Sequence, residues 1–210
     1  MSHEIRTPLN AIVGFSSLLV TEEDIEERKR YMAIVEENND LLLQLISDIL
    51  DLSKIEAGTF DFVEKELDVN LLCEDIVRVM KMKIKPGVEL IFERHLPECT
   101  IISDRNRLNQ VISNFVNNAI KFTSEGSISL GYQEVDDNYL KFYVRDTGIG
   151  IPADKINQIF DRFIKLNTFV HGTGLGLPIS KSIIMQMKGQ IGVDSVEGKG
   201  SCFWFTIPKQ

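Results

Sequence analysis

Cysteine and histidine each occur only three times in the 210 residues, and their scarcity is the first constraint on function. Cys73, Cys99 and Cys202 are far apart, odd in number and without a CxxC pair, so neither a disulfide framework nor a zinc site is expected, and three such thiols suit a reducing cytoplasm. His95 and His171 join no Cys/Asp cluster, which argues against a metal site made of histidines. Long apolar runs are missing: none approaches the roughly 20 residues of a membrane span, and the N-terminus lacks the basic-then-apolar order of a signal peptide. The chain is therefore expected to be soluble and without membrane contact. A basic stripe is missing as well. With 31 acidic against 23 basic residues the formal net charge is -8, which offers nucleic acid no long-range attraction. No internal repeat or low-complexity segment is found. What is present is 43% hydrophobic residues, enough to build a core in one large domain or two small ones.

Up to Gly58 the only strong breaker is Pro8, and apolar residues recur at helical spacing. Tyr31, Val35, Asn38, Leu42, Leu45, Ile49 and Leu52 step by alternating fours and threes, a coiled-coil seam with one polar position, and Ile5, Leu9, Ile12, Ser16 and Leu19 repeat the step. The acidic stretch 21–27 separates the two, so residues 1–57 predict a helical hairpin that turns near Thr21 and ends at a Gly58 cap. Two helices cannot enclose stripes this wide, because each has one neighbour. Two hairpins together make a four-helix bundle, and a homodimer is expected.

From 58 to 210 the pattern changes. Residues 67–83 and 104–121 look helical, the second with Asp104 as N-cap, and 88–94, 100–103, 127–134, 139–146, 190–196 and 201–207 look like strands. Residues 152–170 predict a short helix and a loose loop, and 175–187 another helix. Strands mixed with helices and hairpins argue for an α+β two-layer sandwich rather than a doubly wound parallel sheet.

Four constellations carry chemistry. Leu140, Phe142 and Val144 share one face of a strand, and period two puts Asp146 on that apolar face, where a carboxylate is costly unless a donor meets it. A strand-end aspartate capping the next turn is the bland explanation. The following Thr147-Gly148-Ile149-Gly150 instead lets backbone pass close to a ligand, and a purine amino group would be a fitting partner for Asp146. On the helix 104–121, Asn114, Asn118 and Lys121 fall on one face, opposite the core stripe Val111, Phe115, Ala119 and Phe122. A solvated face is the plain alternative there, against a polar duty such as an amide oxygen on magnesium and an ammonium near phosphate. Gly172-Thr173-Gly174-Leu175-Gly176-Leu177 opens a helix, where backbone amides cradle phosphate. It fits neither GxGxxG nor GxxxxGK[ST], so dinucleotide-fold and P-loop readings fall. Finally, His3 and Thr7 stand at i and i+4, with Glu4 adjacent and able to lean toward the imidazole, a nucleophile when neutral. An exposed surface histidine is the ordinary alternative.

Taken in order, these motifs resemble the transmitter core of a two-component sensor histidine kinase over essentially the whole chain. His3 to Leu9 resembles the phosphoacceptor box and Asn114 to Thr123 the asparagine box. Asp146 to Ile151 resembles the first glycine box, Phe160-Asp161-Arg162-Phe163 the phenylalanine box, and Gly172 to Leu177 the second glycine box. The resemblance implies a dimerisation and phosphoacceptor hairpin over 1–57 and an ATP-binding catalytic domain over 58–210, the latter with the sandwich shared by histidine kinases, gyrase, the heat-shock chaperone ATPases and MutL. It implies that His3 accepts phosphate from ATP, Glu4 acts as acid/base, Asn118 ligates Mg2+ with Asn114 and Lys121 nearby, and Asp146 holds the adenine amino group. Residues 152–173 would form a lid, with Lys165 near the phosphates where many relatives carry arginine. Thr7 matches a position that helps hydrolyse a receiver's phosphoaspartate, which would allow phosphatase activity. The partner implied is a response-regulator receiver domain, and residues 53–59 are the expected hinge. The family's first helix starts several turns before the phosphoacceptor, so a fragment of a longer protein is expected. Two readings compete: an ATPase or ATP-switched binding module of the same sandwich fold without a phosphoacceptor, and a nucleotide-free scaffold.

Overall fold

A computed structural model describes residues 2–164 and 173–209, and these fall into two compact units, residues 2–60 with 173–175 and residues 61–164 with 176–209. The expected positions Lys165 and Gly172, with much of the expected lid, lie outside the described residues.

The first unit is built on the hairpin of α1 (Ser2–Thr21) and α2 (Ile25–Glu56). Its turn is set by Asp24, whose carboxylate accepts from the N–H groups of Glu26 and Glu27 at 2.8 and 3.1 Å, so that two of the four orphan donors of α2 are met by an N-cap. The other end closes as a Schellman motif: Gly58, at φ +65°, donates to Ile55 O, and Thr59 donates to Lys54 O. Along the seam Leu45 and Asn38 are buried in the single chain, and the Asn38 amide donates to Ile34 O at 2.7 Å, satisfying the polar seam position within its own helix. Phe15 and Tyr31 join the two helices, ring centroids 5.6 Å apart.

The second unit is the expected two-layer sandwich. Strand β1 (Lys65–Asp68) pairs antiparallel with β3 (Thr100–Ser103), a small sheet of its own. The main sheet has the order β2-β4-β5-β7-β6, built from β2 (Val88–Glu93), β4 (Gly126–Glu134), β5 (Tyr139–Asp146), β6 (Gln190–Val196) and β7 (Gly200–Pro208). Only the β2–β4 pair is parallel. Helices α3 (Val69–Met80), α4 (Arg105–Phe122) and α5 (Gly176–Gln186) complete the unit. The layers meet where Phe115 of α4 lies 5.4 and 6.0 Å from the rings of Phe203 and Phe205, and Phe205 stacks on Phe142 at 5.0 Å.

Two expected elements are revised. Helix 67–83 begins later, because Leu67 is strand residue opposite Ile101 and Asp68 caps the helix by accepting from Leu71 N–H; its C-terminal turn, Lys81–Lys83, is a 3-10 helix. In 152–164 a single 3-10 turn, Ile156–Gln158, replaces a short α-helix. The spacing of Ile156, Ile159, Phe160 and Phe163 is helical, yet Phe163 takes φ +62°, a left-handed conformation that no α-helix continues through.

Candidate functional site

Asp146 ends β5 on the face that buries Leu140, Phe142 and Val144, and is itself 6% exposed. It sits opposite Ile128 of β4 and Ser201 of β7. Burial pushes its carboxyl above the usual carboxylate range, opposed by backbone donors from Gly148 and Ser201. The Gly148 N–H reaches Oδ1 at 2.8 Å.

The turn that follows is sutured on both sides. Ile149 N–H donates to Phe122 O at the end of α4, and Ile149 O accepts from Gly198 N–H in the β6–β7 turn at 2.7 Å. Ile151 N–H donates to Ser195 Oγ at 2.9 Å, whose hydroxyl bonds Gly200 O and meets Ser201 Oγ. A Cβ on Gly148 would stand 2.4 Å from Phe122 O and 2.9 Å from Asp146 Oδ1, so only glycine admits this approach. Gly150, at φ +66°, would bring a Cβ to 2.1 Å from Val196 O. The result is a rigid floor of backbone with one buried carboxylate, a geometry able to read a planar ligand's hydrogen-bond donor.

The polar face of α4 divides into two tasks. Asn114 Nδ2 donates to Ser180 Oγ of α5 at 3.0 Å, and a Cβ on Gly176 would come within 2.4 Å of Asn114 Oδ1. Asn114 is thus a strut between α4 and α5, a use that the sequence pattern alone does not signal. Asn118, half-buried one turn further on, makes no side-chain hydrogen bond to another described residue. Its amide oxygen is a hard donor of the kind Mg2+ prefers. Lys121 Nζ lies 5.2 Å from the Phe122 ring centroid.

Thr173, Gly174 and Leu175 of the glycine-rich turn group with the helical hairpin, while Gly176 and Leu177 open α5 in the second unit. Thr173 Oγ1 donates to Asp48 Oδ2 at 2.8 Å and accepts from Leu175 N–H at 3.2 Å. Asp48, the acceptor of the Thr173 hydroxyl, is a residue that sequence reasoning did not single out. Its only signal was an acidic residue three positions after the seam residue Leu45. The expected phosphoacceptor His3 lies in α1, as do the half-buried Glu4 and the exposed Thr7.

Among the described residues, none form a cluster of three metal-ligating side chains of the His/Cys/Asp/Glu kind, and no helix is long and apolar enough to cross a membrane. Residues 103–210 match the family described as Histidine kinase-, DNA gyrase B-, and HSP90-like ATPase. Residues 1–58 match the His Kinase A (phospho-acceptor) domain. The sensor histidine kinase GacS of Pseudomonas protegens is 39% identical over 219 aligned residues, an alignment spanning 99% of this chain and 24% of that protein. The chain thus covers about a quarter of that curated relative's length. Full-length ShkA in complex with AMPPNP is similar with a TM-score of 0.78 at 33% identity, over 99% of this chain and 44% of that one. The histidine kinase ThkA in complex with the response regulator TrrA is similar with a TM-score of 0.78 at 27% identity, over 100% of this chain and 60% of that one.

Proposed function

This chain belongs to the sensor histidine kinases, and from that premise we propose that it binds Mg-ATP and transfers the terminal phosphoryl group to His3, for delivery to an aspartate on a receiver domain. The observation that carries the reading is Asp146, a carboxylate buried beneath a backbone turn whose glycine at 148 leaves no room even for a methyl group. Two backbone donors leave acceptor capacity on this buried carboxylate, and a ligand that presents an exocyclic amine fits it. The AMPPNP complex of ShkA and the response-regulator complex of ThkA support the same assignment by likeness.

In this reading the described residues act as follows. Asp146 accepts from the adenine amino group, and Gly148 and Gly150 form the floor beneath the base. Asn118 would hold Mg2+, which neutralises charge on the phosphates when bound, and Lys121 lies one turn along α4. Asn114 holds α5 and with it Gly176 and Leu177. Phosphoryl transfer asks mainly for positioning and charge neutralisation. Glu4 orients the His3 imidazole and takes its proton as the nitrogen attacks in line, and Thr7 supports hydrolysis of the receiver's phosphoaspartate. Residues 1–57 then serve as the dimerisation and phosphoacceptor domain, 58–210 as the catalytic domain, 53–59 as the hinge, and the cytoplasm as the compartment.

The assay is incubation with terminally labelled ATP. The expected product is an acid-labile, base-stable label that disappears in His3→Ala. Label that survives without His3 would refute the assignment. Nucleotide binding without any label would favour the ATP-switched module instead.

A further inference from the structure

Residues 76–88 contain no acidic side chain but hold Arg78, Lys81, Lys83 and Lys85, in a chain whose formal net charge is -8. The three lysines are exposed, on and just after the 3-10 turn that follows α3, and none is ion-paired with another described residue. The dipole of α3 accounts for a cation at Lys81, but that attraction fades beyond the last turn of a helix. Lys83 and Lys85 lie past it. The same turn bares an apolar side chain, Met82, 81% exposed. Directly before the turn, α3 and α4 border a groove of about 370 Å³. Ile76 and Met80, both buried, and Val79, 48% exposed, line it from α3, and Arg105, Asn109 and Ser113 from α4. All of these residues belong to the second unit. Toward the start of α3, Asp75 accepts from Arg78 and, at 2.6 Å, from Arg105. One carboxylate thus stands between two guanidinium groups, and a positive charge is left over at that end as well.

The groove is apolar between its ends and cationic at both. Arg105, Asn109 and Ser113 step by four along α4, so this wall is two turns, or about 12 Å, long. Both walls are helices and neither offers a free strand edge, so a chain lying between them must satisfy its own backbone N–H and C=O groups. A helix does. Two apolar side chains at i and i+3 or i+4 span the stretch that Ile76, Val79 and Met80 line. Carboxylates one turn beyond each of them would meet Arg78 and Arg105 at one end and the lysines at the other. From this pattern of charge we infer that the α3–α4 groove is a docking surface for an acidic amphipathic helix of a partner protein. The surface is small, which makes the contact a transient one. Asn114 and Asn118 lie about a third of a turn further round α4, so a helix docked here leaves them uncovered. An anionic membrane surface would neutralise the lysines too, but it is flat and does not reach the groove floor.

The test uses the full chain and a fluorescein-labelled helical peptide with two leucines one turn apart and glutamates one turn beyond each, read by anisotropy. Its controls are the same peptide with lysine for glutamate and with alanine for leucine. The acidic peptide is expected to saturate the chain below about 1 mM, and neither control should compete. Val79→Gln keeps the helix but removes apolar wall, and should weaken the acidic peptide by about tenfold. Lys81→Glu, Lys83→Glu and Lys85→Glu together should weaken it by about tenfold or more and let the lysine peptide bind instead. All four positions are exposed, so thermal melts of both variants should match the original chain. No saturation by about 1 mM, equal binding of the acidic and lysine peptides, or binding that Val79→Gln leaves unchanged overturns the assignment. Phosphatidylserine vesicles and sedimentation equilibrium test the other occupants. Vesicle binding lost with the lysines but kept in Val79→Gln, without peptide binding, would assign the patch to a lipid surface. A molecular mass that Val79→Gln lowers, again without peptide binding, would assign the groove to a second copy of the chain.

Discussion

At the scale of single residues, the carboxylate of Asp146 combines a stability cost with a binding role, and the two can be measured apart. Its pKa is raised by burial, so the folded chain holds this proton more tightly than the unfolded one. The sign follows: between the ordinary carboxylate value and the raised one, the unfolded state loses its proton first and stability falls as pH rises, levelling off above the raised value. Asp146→Asn keeps an oxygen to accept from Gly148 N–H and has no such titration. Thermal melts should therefore show the variant gaining on the unmodified chain as pH rises from strongly acidic to neutral, while its nucleotide affinity drops by about ten- to a hundredfold, the loss of a charged hydrogen bond. A variant no more stable at neutral pH than at acid pH, relative to the original chain, would contradict the burial argument. Gly148→Ala probes the same floor by volume. Its methyl would lie 2.4 Å from the Phe122 carbonyl, so backbone must move, and denaturant unfolding should register a loss of about 1–3 kcal/mol together with weaker nucleotide binding.

At the scale of elements, the joint between α4 and α5 carries the consequence. The Asn114 amide meets Ser180 Oγ, and Ser180 is buried. Asn114→Ala strands that hydroxyl, and stability should fall by about 1–3 kcal/mol. Ser180→Ala added to it should cost little more, so a double-mutant cycle on denaturant midpoints should show coupling; additive losses would mean that the two side chains do not support each other. This joint marks where the sequence stops being legible. The alternation in Leu140, Phe142 and Val144 delivered Asp146 to the correct face, and the steps of three and four delivered both hairpin helices with their cap and turn. Periodicity reports which face an element buries, not which partner it finds. The four residues of β1 run straight into the stripe of α3, so a strand too short to show its own period left its last two, Leu67 and Asp68, in the expected helix. Phe163 shows the reverse, a helical spacing overruled by one left-handed residue. Asn114 and Asn118 are indistinguishable in sequence because both lie on one face; the bond to Ser180 and the approach of Gly176 give the first a packing partner. Asp48 was hidden for the same reason, since its partner is distant in sequence.

At the scale of the whole molecule, the hairpin presents an apolar surface that one chain does not cover. Val13, Leu43, Ile46 and Leu50 are 59%, 58%, 46% and 57% exposed, and Leu9, the seam position opposite in pattern, is 45% exposed. Side chains of this kind at helical spacing on a two-helix unit are stabilised when a second pair of helices closes the bundle, each buried leucine contributing roughly 1.5–3 kcal/mol. A second copy of the chain would supply the matching stripe by symmetry, through an isologous interface, as expected of a homodimer. Sedimentation equilibrium should therefore give twice the 23.8 kDa chain mass, and Leu43→Glu with Leu50→Glu should reduce it to one chain by placing charge in a dry seam. Asp146, Gly148 and Gly150 are held by α4, β5, β6 and β7, all within the second unit, so adenosine affinity in the monomeric variant should match that of the dimer. Labelling of His3 is the readout that ties assembly to chemistry. If the two chains cooperate in transfer, it declines with the dimer while adenosine binding persists; if a dilute monomer labels at the dimer's rate, the bundle is not part of the catalytic unit.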